Sequence, residues 1–165
     1  MELILIRHAD AASGAAYADD AQRPLTEKGV KTQRQVARAL DAMGMSPDTV
    51  LASPRERAQQ TAWLTAEALD RDVDTLDVLD GGHRLAALCE ALSGYDEQST
   101  VMCVGHEPDM SGWASALLCS TTSYFVKFKK SAVMGIGFGG HPRPGRGQLL
   151  YFYRAADLKS LSKPE

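Results

Sequence analysis

Short apolar strands alternate with helical stretches along the first two thirds of the chain. The clearest apolar runs are Glu2–Ile6, Thr49–Ala52 and Thr100–Val104, and nearly continuous runs of this kind are typical of strands covered on both faces. Asp74–Leu79 is a further strand candidate, and its acidic residues indicate a position near an edge. This alternation predicts an α/β fold in which a mostly parallel sheet carries helices on both sides.

Start signals accompany the helical stretches. Thr26 is predicted to cap the first helix. Ser53 and Glu56 have the spacing of a capping box, in which each side chain accepts from the backbone N–H of the other residue, and Pro54 fills the first helical position. The helices are expected over 27–43, 54–69, 83–92 and 108–118.

The last third of the chain is expected to add strands. Tyr124–Lys129, Ala132–Phe138 and Gln148–Arg154 are strand-like runs, and the Gly- and Pro-rich turn 139–147 joins the last two in a hairpin-like connection. No repeat or domain linker interrupts the pattern. The 165 residues are therefore predicted to form a single domain, 1–165.

Polar side chains follow three of the predicted strands. Arg7 and His8 come directly after the first strand, Arg57 follows the second, and His106 follows Thr100–Val104. Ligands of parallel α/β sheets bind beyond the carboxyl ends of the strands, so these side chains are expected to meet at one edge. Any one of them alone is more often structural, and their joint placement is what predicts a site.

The residue types at this edge favour phosphoryl transfer. The guanidinium groups of Arg7 and Arg57 match a phosphate dianion, and two helix N-termini add positive potential. A neutral imidazole, from His8 or His106, can attack phosphorus while the remaining groups stabilise the transferring oxygens. A zinc ion on the two histidines is the disfavoured alternative, because the arginines repel a cation. No metal and no other cofactor is expected.

These residues lie in segments that resemble the motifs of the histidine phosphatase superfamily, which includes the cofactor-dependent phosphoglycerate mutases. Leu5–His8 resembles the first motif, Ser53–Ala62 the second and Val104–Pro108 the third, in the family's order. Residues 23–29 and the Gly-His-Glu-Pro run are similar to the SixA-type phosphohistidine phosphatases within the superfamily. The resemblance implies a three-layer αβα sandwich of the phosphoglycerate mutase-like type.

The resemblance also implies a role for each matching residue. His8 would be the nucleophile that becomes phosphorylated. Arg7 and Arg57 would bind the phosphoryl oxygens, and His106 would complete the pocket and stabilise the transition state. Arg23 matches a position near the pocket mouth and is expected to contribute to phosphate binding.

No general acid stands out in the sequence. Asp80 is the nearest candidate, with Asp77 and Glu107 behind it, and Arg55 is expected on a solvated helix face. Many family members read Arg-His-Gly-x-Thr/Ser, whereas Ala-Asp-Ala follows the histidine here. An alcohol leaving group needs a proton, but imidazole, with an ordinary pKa of about 6.5, departs readily. A site without a clear acid therefore favours cleavage of P–N over P–O bonds.

These inferences predict a phosphohistidine phosphatase. It would hydrolyse the P–N bond of a phosphorylated protein histidine through a covalent intermediate on His8, and its partner would be a phosphotransfer domain or a phosphotransferase-system protein in signal transduction. One alternative is a small-molecule phosphomonoesterase of the same superfamily with Asp80 as its acid. The alternative of another class is a non-catalytic phosphate-binding module.

Composition indicates which partners and which cellular compartment to expect. Eighteen Lys and Arg against twenty-one Asp and Glu give a formal charge of −3, and without a long basic stretch nucleic acid is not an expected partner. No secretory signal or membrane span is expected. The three widely spaced cysteines are expected to be small buried residues. A reduced, cytoplasmic protein that acts as a monomer is the expected setting.

Overall fold

A computed structural model describes residues 1–161, and a six-stranded sheet forms its centre. Residues 162–165, the end of the predicted domain 1–165, lie outside the described residues. The strands are β1 (Glu2–Arg7), β2 (Thr49–Ala52), β3 (Val73–Thr75), β4 (Thr100–Gly105), β5 (Val133–Gly137) and β6 (Gln148–Tyr153). The helices are α1 (Glu27–Ala42), α2 (Glu56–Leu69), α3 (Leu85–Leu92), α4 (Asp109–Cys119) and α5 (Ala155–Leu161).

The sheet is mostly parallel, with the order β3-β2-β4-β1-β5-β6. The first four strands in this order pair in parallel. The last two pair antiparallel, β5 with β1 and β6 with β5. The predicted α/β class, the edge position of the third strand and the hairpin-like connection before β6 are therefore confirmed.

Helices cover both faces of the sheet, and β1 shows how its sequence produces this. Side chains alternate between the faces of a strand, so Leu3 and Leu5 join one buried cluster while Ile4 and Ile6 join the other. The first cluster contains buried residues of α3 and α4, and the second contains those of α1, α2 and α5. These four side chains in the middle of β1 are fully buried, as expected for a central strand in a three-layer sandwich.

The strand predicted over Tyr124–Lys129 is wrong. Val126 and Phe128 are buried, and their backbone N–H groups donate to the hydroxyls of Ser115 (3.4 Å) and Ser111 (3.0 Å) on α4. Alternating burial therefore arises here without a neighbouring strand, because serine hydroxyls supply the acceptors that a sheet would otherwise provide.

The capping box predicted at Ser53 is also wrong, although Thr26 caps α1 as expected. The N–H of Ser53 donates to the carbonyl of Val104 at 3.0 Å, as a continuation of the β2–β4 pairing. That donor is consequently not available to Glu56, whose carboxylate accepts from the side-chain amide of Gln60 at 2.7 Å instead. Helix α2 begins at Glu56, two residues later than expected.

Smaller differences concern the middle of the chain and the cysteines. The strand predicted over Asp74–Leu79 is confined to β3 and is followed by a 3₁₀ turn at Asp77–Asp80. Cys103 is buried as expected, but Cys89 is only partly buried and Cys119 is exposed. Helix α5 was not predicted. Within residues 1–161, no helix has the length and apolar character needed to cross a membrane.

Candidate active site

The two histidines of the predicted site lie side by side at the carboxyl ends of β1 and β4. These strands are parallel neighbours in which Arg7 lies opposite Gly105, so the next residue of each strand, His8 and His106, meets across the edge of the sheet. Their imidazole centroids are 5.1 Å apart and the rings are tilted by 54°. Arg57 reaches the same region from the first turn of α2. The topology thus brings together the four predicted site residues Arg7, His8, Arg57 and His106.

His8 carries a proton on Nδ1 and a lone pair on Nε2. Its Nδ1 lies 2.7 Å from the carbonyl oxygen of Ala9, and because a carbonyl only accepts, Nδ1 must donate. Burial is the main cause that lowers the pKa of His8 from 6.5 to about 4; the Ala9 carbonyl opposes this, and the charges of Arg57 and Arg7 add to it. The ring is therefore neutral near pH 7, as a nucleophile requires.

A hydrogen bond with Ser53 determines which ring nitrogen of His106 carries the proton. Its Nε2 lies 2.7 Å from the Ser53 hydroxyl, which already accepts the backbone N–H of Arg55 at 3.2 Å. The hydroxyl proton has no other acceptor than this Nε2 among residues 1–161, so it is donated to Nε2 and the ring proton of His106 resides on Nδ1. That Nδ1 is buried and has no hydrogen-bond partner in the described chain, so it is a donor that the protein itself leaves unsatisfied.

Burial also keeps His106 neutral. Burial is the largest of the causes that lower the pKa of His106 from 6.5 to about 3; His8, Arg57 and Arg55 add to the lowering, and the charge of Asp20 opposes it. A neutral imidazole with a proton on Nδ1 is a hydrogen-bond donor that adds no fixed charge to the site. Binding of an anion would favour the protonated form and raise this pKa.

The two arginines present buried N–H groups. Arg57 is only 4% exposed, and its two terminal nitrogens donate to the carbonyl (2.8 Å) and the carboxylate (3.0 Å) of Asp20. Arg7 donates through one terminal nitrogen to the carbonyl of Phe128 at 2.9 Å. The Nε atoms of both arginines are buried and have no partner within residues 1–161. Buried cationic donors of this kind are suited to an anionic ligand.

Asp20 is a residue of the site that the sequence did not reveal. It lies in a 3₁₀ turn between β1 and α1, and its carboxylate contacts Arg23 at 2.7 Å, Arg55 at 2.8 Å and Arg57 at 3.0 Å. Partial desolvation raises the pKa of Asp20, but Arg57 and Arg23 outweigh it and keep this pKa below its ordinary value. One sequence signal could have indicated such a residue: several arginines were expected at the site, and no carboxylate was expected to neutralise them.

Arg23 is connected to the site through this carboxylate. Besides the ion pair with Asp20, its guanidinium donates to the carbonyl of Ala12 at 3.0 Å. No hydrogen bond joins Arg23 to Arg7, Arg57 or either histidine in residues 1–161. Arg23 and Arg57 thus share one carboxylate, and the contacts of Arg23 orient the loop that carries Asp20.

The candidate acids are already engaged or exposed. Asp80 accepts from Nε of Arg55 at 2.7 Å, so Arg55 is ion-paired and the expectation of a merely solvated helix face is wrong. Asp77 is exposed. Glu107 accepts from the hydroxyl of Ser111 at 2.6 Å. The carboxylate of the nearest candidate acid, Asp80, is therefore already engaged by a guanidinium.

The assembled site is suited to nucleophilic attack on a phosphoryl group. It contains a neutral imidazole with a lone pair, a second neutral imidazole that donates, and two guanidinium groups. In the part of the chain that is described, no group of three His, Cys, Asp or Glu side chains is arranged to hold a metal ion.

Comparisons with known proteins agree with this chemistry. Residues 3–83 match the model of the histidine phosphatase superfamily (branch 1). An uncharacterised protein from Picosynechococcus sp. is 34% identical to this chain over 142 residues, which are 84% of this chain and 86% of that protein.

Solved structures are similar across nearly the whole chain. The protein histidine phosphatase SixA, solved as a complex with tungstate, is 25% identical, with a TM-score of 0.83 over 96% of this chain and 99% of that one. A phosphoserine phosphatase from Entamoeba histolytica has the same fold at 19% identity, with a TM-score of 0.69 over 95% of this chain and 98% of that one. The predicted phosphoglycerate mutase-like sandwich is thereby confirmed.

Proposed function

The chain belongs to the histidine phosphatase superfamily, and we propose that it is a phosphohistidine phosphatase that hydrolyses the P–N bond of a phosphorylated protein histidine. The observation that carries the proposal is the ion pair of Asp80 with Arg55 at 2.7 Å. This ion pair engages the carboxylate of the nearest candidate acid with a guanidinium, beside the nucleophilic His8 and the phosphate-binding Arg7 and Arg57. A site of this kind favours a leaving group that departs without help from an acid.

In the first step, Nε2 of His8 attacks phosphorus and the P–N bond of the substrate breaks. The substrate histidine, protonated on its other ring nitrogen, takes the bonding electron pair and leaves as neutral imidazole. His8 becomes a phosphoimidazolium, whose Nδ1–H donates to the carbonyl of Ala9. This hydrogen bond stabilises the positive charge that the ring acquires.

In the second step, water attacks phosphorus and the P–Nε2 bond breaks. His8 regains its lone pair and keeps its proton on Nδ1, while both protons of the water leave with the phosphate as H₂PO₄⁻. In both steps the equatorial oxygens accept hydrogen bonds from Arg7, Arg57 and Nδ1–H of His106. Such preorganised donors are worth about 10²–10³ in rate each.

The likeness to the protein histidine phosphatase SixA supports a protein substrate. We propose a phosphotransfer domain or a phosphotransferase-system protein as the partner, a role in signal transduction, and a cytoplasmic, monomeric enzyme. The mouth also suits a side chain on a folded surface, because β3 and α3 are joined by one 3₁₀ turn and a short loop rather than by a covering domain.

Paired initial rates test the proposal. A phosphohistidine peptide and an alkyl phosphomonoester would be assayed with EDTA, with His8→Ala as the inactive control. We expect P–N cleavage that requires His8 and a slow reaction of the ester. Efficient ester hydrolysis that Asp80→Asn abolishes would favour the small-molecule phosphomonoesterase instead. Phosphate binding without turnover would favour the non-catalytic module.

A further inference from the structure

Two exposed lysines lie beside the candidate active site, in the segment between α4 and β5. Burial alternates here: Val126 and Phe128 are buried, whereas Lys127 and Lys129 are exposed. The two buried side chains anchor the segment in the core, so the two ammonium groups are directed outward. We call Lys127 and Lys129 the basic rim.

Hydrogen bonds connect the segment that carries the basic rim to Arg7, the last residue of β1. The carbonyl of Phe128, between the two lysines, accepts from the guanidinium of Arg7 at 2.9 Å. Farther along, the N–H of Ser131 donates to the carbonyl of Arg7 at 3.0 Å, and that of Ala132 donates to the carbonyl of Lys129 at 3.0 Å. These bonds hold the lysines in a defined place relative to the phosphate-binding arginine.

Two cavities share Arg7 as a lining residue and include the basic rim. One, of about 520 Å³, is lined by Lys129, Lys130 and Arg154 together with two alanines. The other, of about 440 Å³, is lined by Lys127 and by a mainly apolar set that includes Tyr124. It also contains one carboxylate, that of Glu107, which accepts from the hydroxyl of Ser111 at 2.6 Å. A substrate bound at Arg7 therefore has room to extend along either lysine.

The basic rim is the part of this surface whose charge is not neutralised. Lys130 is paired with Asp10, and Arg154 with Asp157. Neither Lys127 nor Lys129 has a carboxylate within ion-pair distance in residues 1–161. Because the chain as a whole carries a formal charge of −3, this local positive patch is not a consequence of a basic composition.

We propose that the basic rim binds acidic side chains that flank the phosphohistidine on the surface of the substrate protein. This inference rests on the proposed phosphohistidine phosphatase activity and names the chemistry of its protein partner. Complementary charge at the edge of an interface accelerates encounter and selects partners. The apolar lining around Tyr124 offers a place for an uncharged side chain next to the acidic ones.

Two phosphohistidine peptides test the docking proposal. They share one sequence, except that Asp and Glu flank the phosphohistidine in one and Asn and Gln replace them in the other. Exposed ion pairs of this kind correspond to about two- to fivefold each. We expect kcat/KM to be roughly tenfold higher for the acidic peptide, through KM, and this preference to disappear in Lys127→Gln/Lys129→Gln. High salt should also reduce it, because the Debye length falls to about 3 Å at 1 M.

A matched control removes two charges elsewhere. Lys31→Gln/Arg38→Gln changes two exposed cations of α1 and should retain the preference for the acidic peptide. A preference that survives in Lys127→Gln/Lys129→Gln, or that is absent from the wild type, would overturn the docking proposal. Phosphoramidate, which has no flanking carboxylates, separates the two claims. Its hydrolysis without any peptide preference would leave the proposed function standing, and no P–N hydrolysis at all would overturn both.

Discussion

Replacement of Ser53 by alanine should disturb His106 without removing any group that touches phosphate. The Ser53 hydroxyl lies 2.7 Å from Nε2 of His106, and both residues are buried. Ser53→Ala leaves a buried ring nitrogen without a partner, which costs about 1–3 kcal/mol. We expect the free energy of unfolding to fall by that amount.

The same change should alter the tautomer of His106. A net hydrogen bond of about 1 kcal/mol corresponds to a factor of about five in the ratio of the two tautomers. Without it, the ring proton is free to move to Nε2, and Nδ1 then repels a phosphoryl oxygen instead of donating to it. We expect kcat/KM on a phosphohistidine peptide to fall by at most about fivefold, because the population of the donating tautomer cannot fall by more than the ratio changes.

Three measurements on one variant decide this. Initial rates give kcat/KM, urea denaturation gives the free energy of unfolding, and ¹⁵N NMR of the imidazole nitrogens reports the tautomer. Ser115→Ala is the matched control, because it removes another fully buried hydroxyl, which bonds only backbone groups. It should lower stability but leave the tautomer and the rate unchanged. A tautomer ratio in Ser53→Ala equal to that of the wild type would refute the role given to Ser53.

Three further predictions concern the loop, the nucleophile and the acid. A Cβ at Gly29 would lie 2.1 Å from the carbonyl oxygen of Asp10, so Gly29→Ala should cost about 1–3 kcal/mol in urea denaturation, whereas Gly139→Ala, with open space around its Cβ, should stay within about 0.5 kcal/mol. Because the pKa of His8 is lowered to about 4, its imidazole should take up a proton only as the pH falls through about 4, and an NMR midpoint near 6.5 in the free enzyme would contradict the burial argument. Asp80→Asn should leave P–N hydrolysis within about threefold of wild type, whereas a loss of about 10² or more would assign Asp80 to general acid catalysis.

The sequence was sufficient to predict the central part of the site. The side chains that follow parallel strands must meet at one edge of the sheet, and this rule places His8 beside His106 from the order of the apolar runs. The same rule placed Arg57 at this edge, because it follows the second strand, and the motif resemblance implied its role. These predictions depend on chain topology, which short apolar runs determine well.

The remaining contacts of the site depend on the conformations of loops and on competition for hydrogen bonds. The carboxylate of Asp20 meets its arginines only because a 3₁₀ turn brings it there, and no local pattern in the sequence reports that turn. Ser53 has the sequence signature of a helix cap, but its N–H is used by the sheet and its hydroxyl by His106. In both cases a long-range partner prevails over the local one.

The most direct test of the central claim is to trap the covalent intermediate. The enzyme would be mixed with a phosphohistidine peptide in EDTA, quenched in alkali within milliseconds, and analysed by mass spectrometry and ³¹P NMR. The free lone pair on Nε2 and the Nδ1–H bond to Ala9 at 2.7 Å predict a phosphoryl group on Nε2 of His8 that forms and decays at rates compatible with turnover. Turnover of the peptide without a phosphorylated His8, or with the phosphoryl group on Nδ1, would contradict the account.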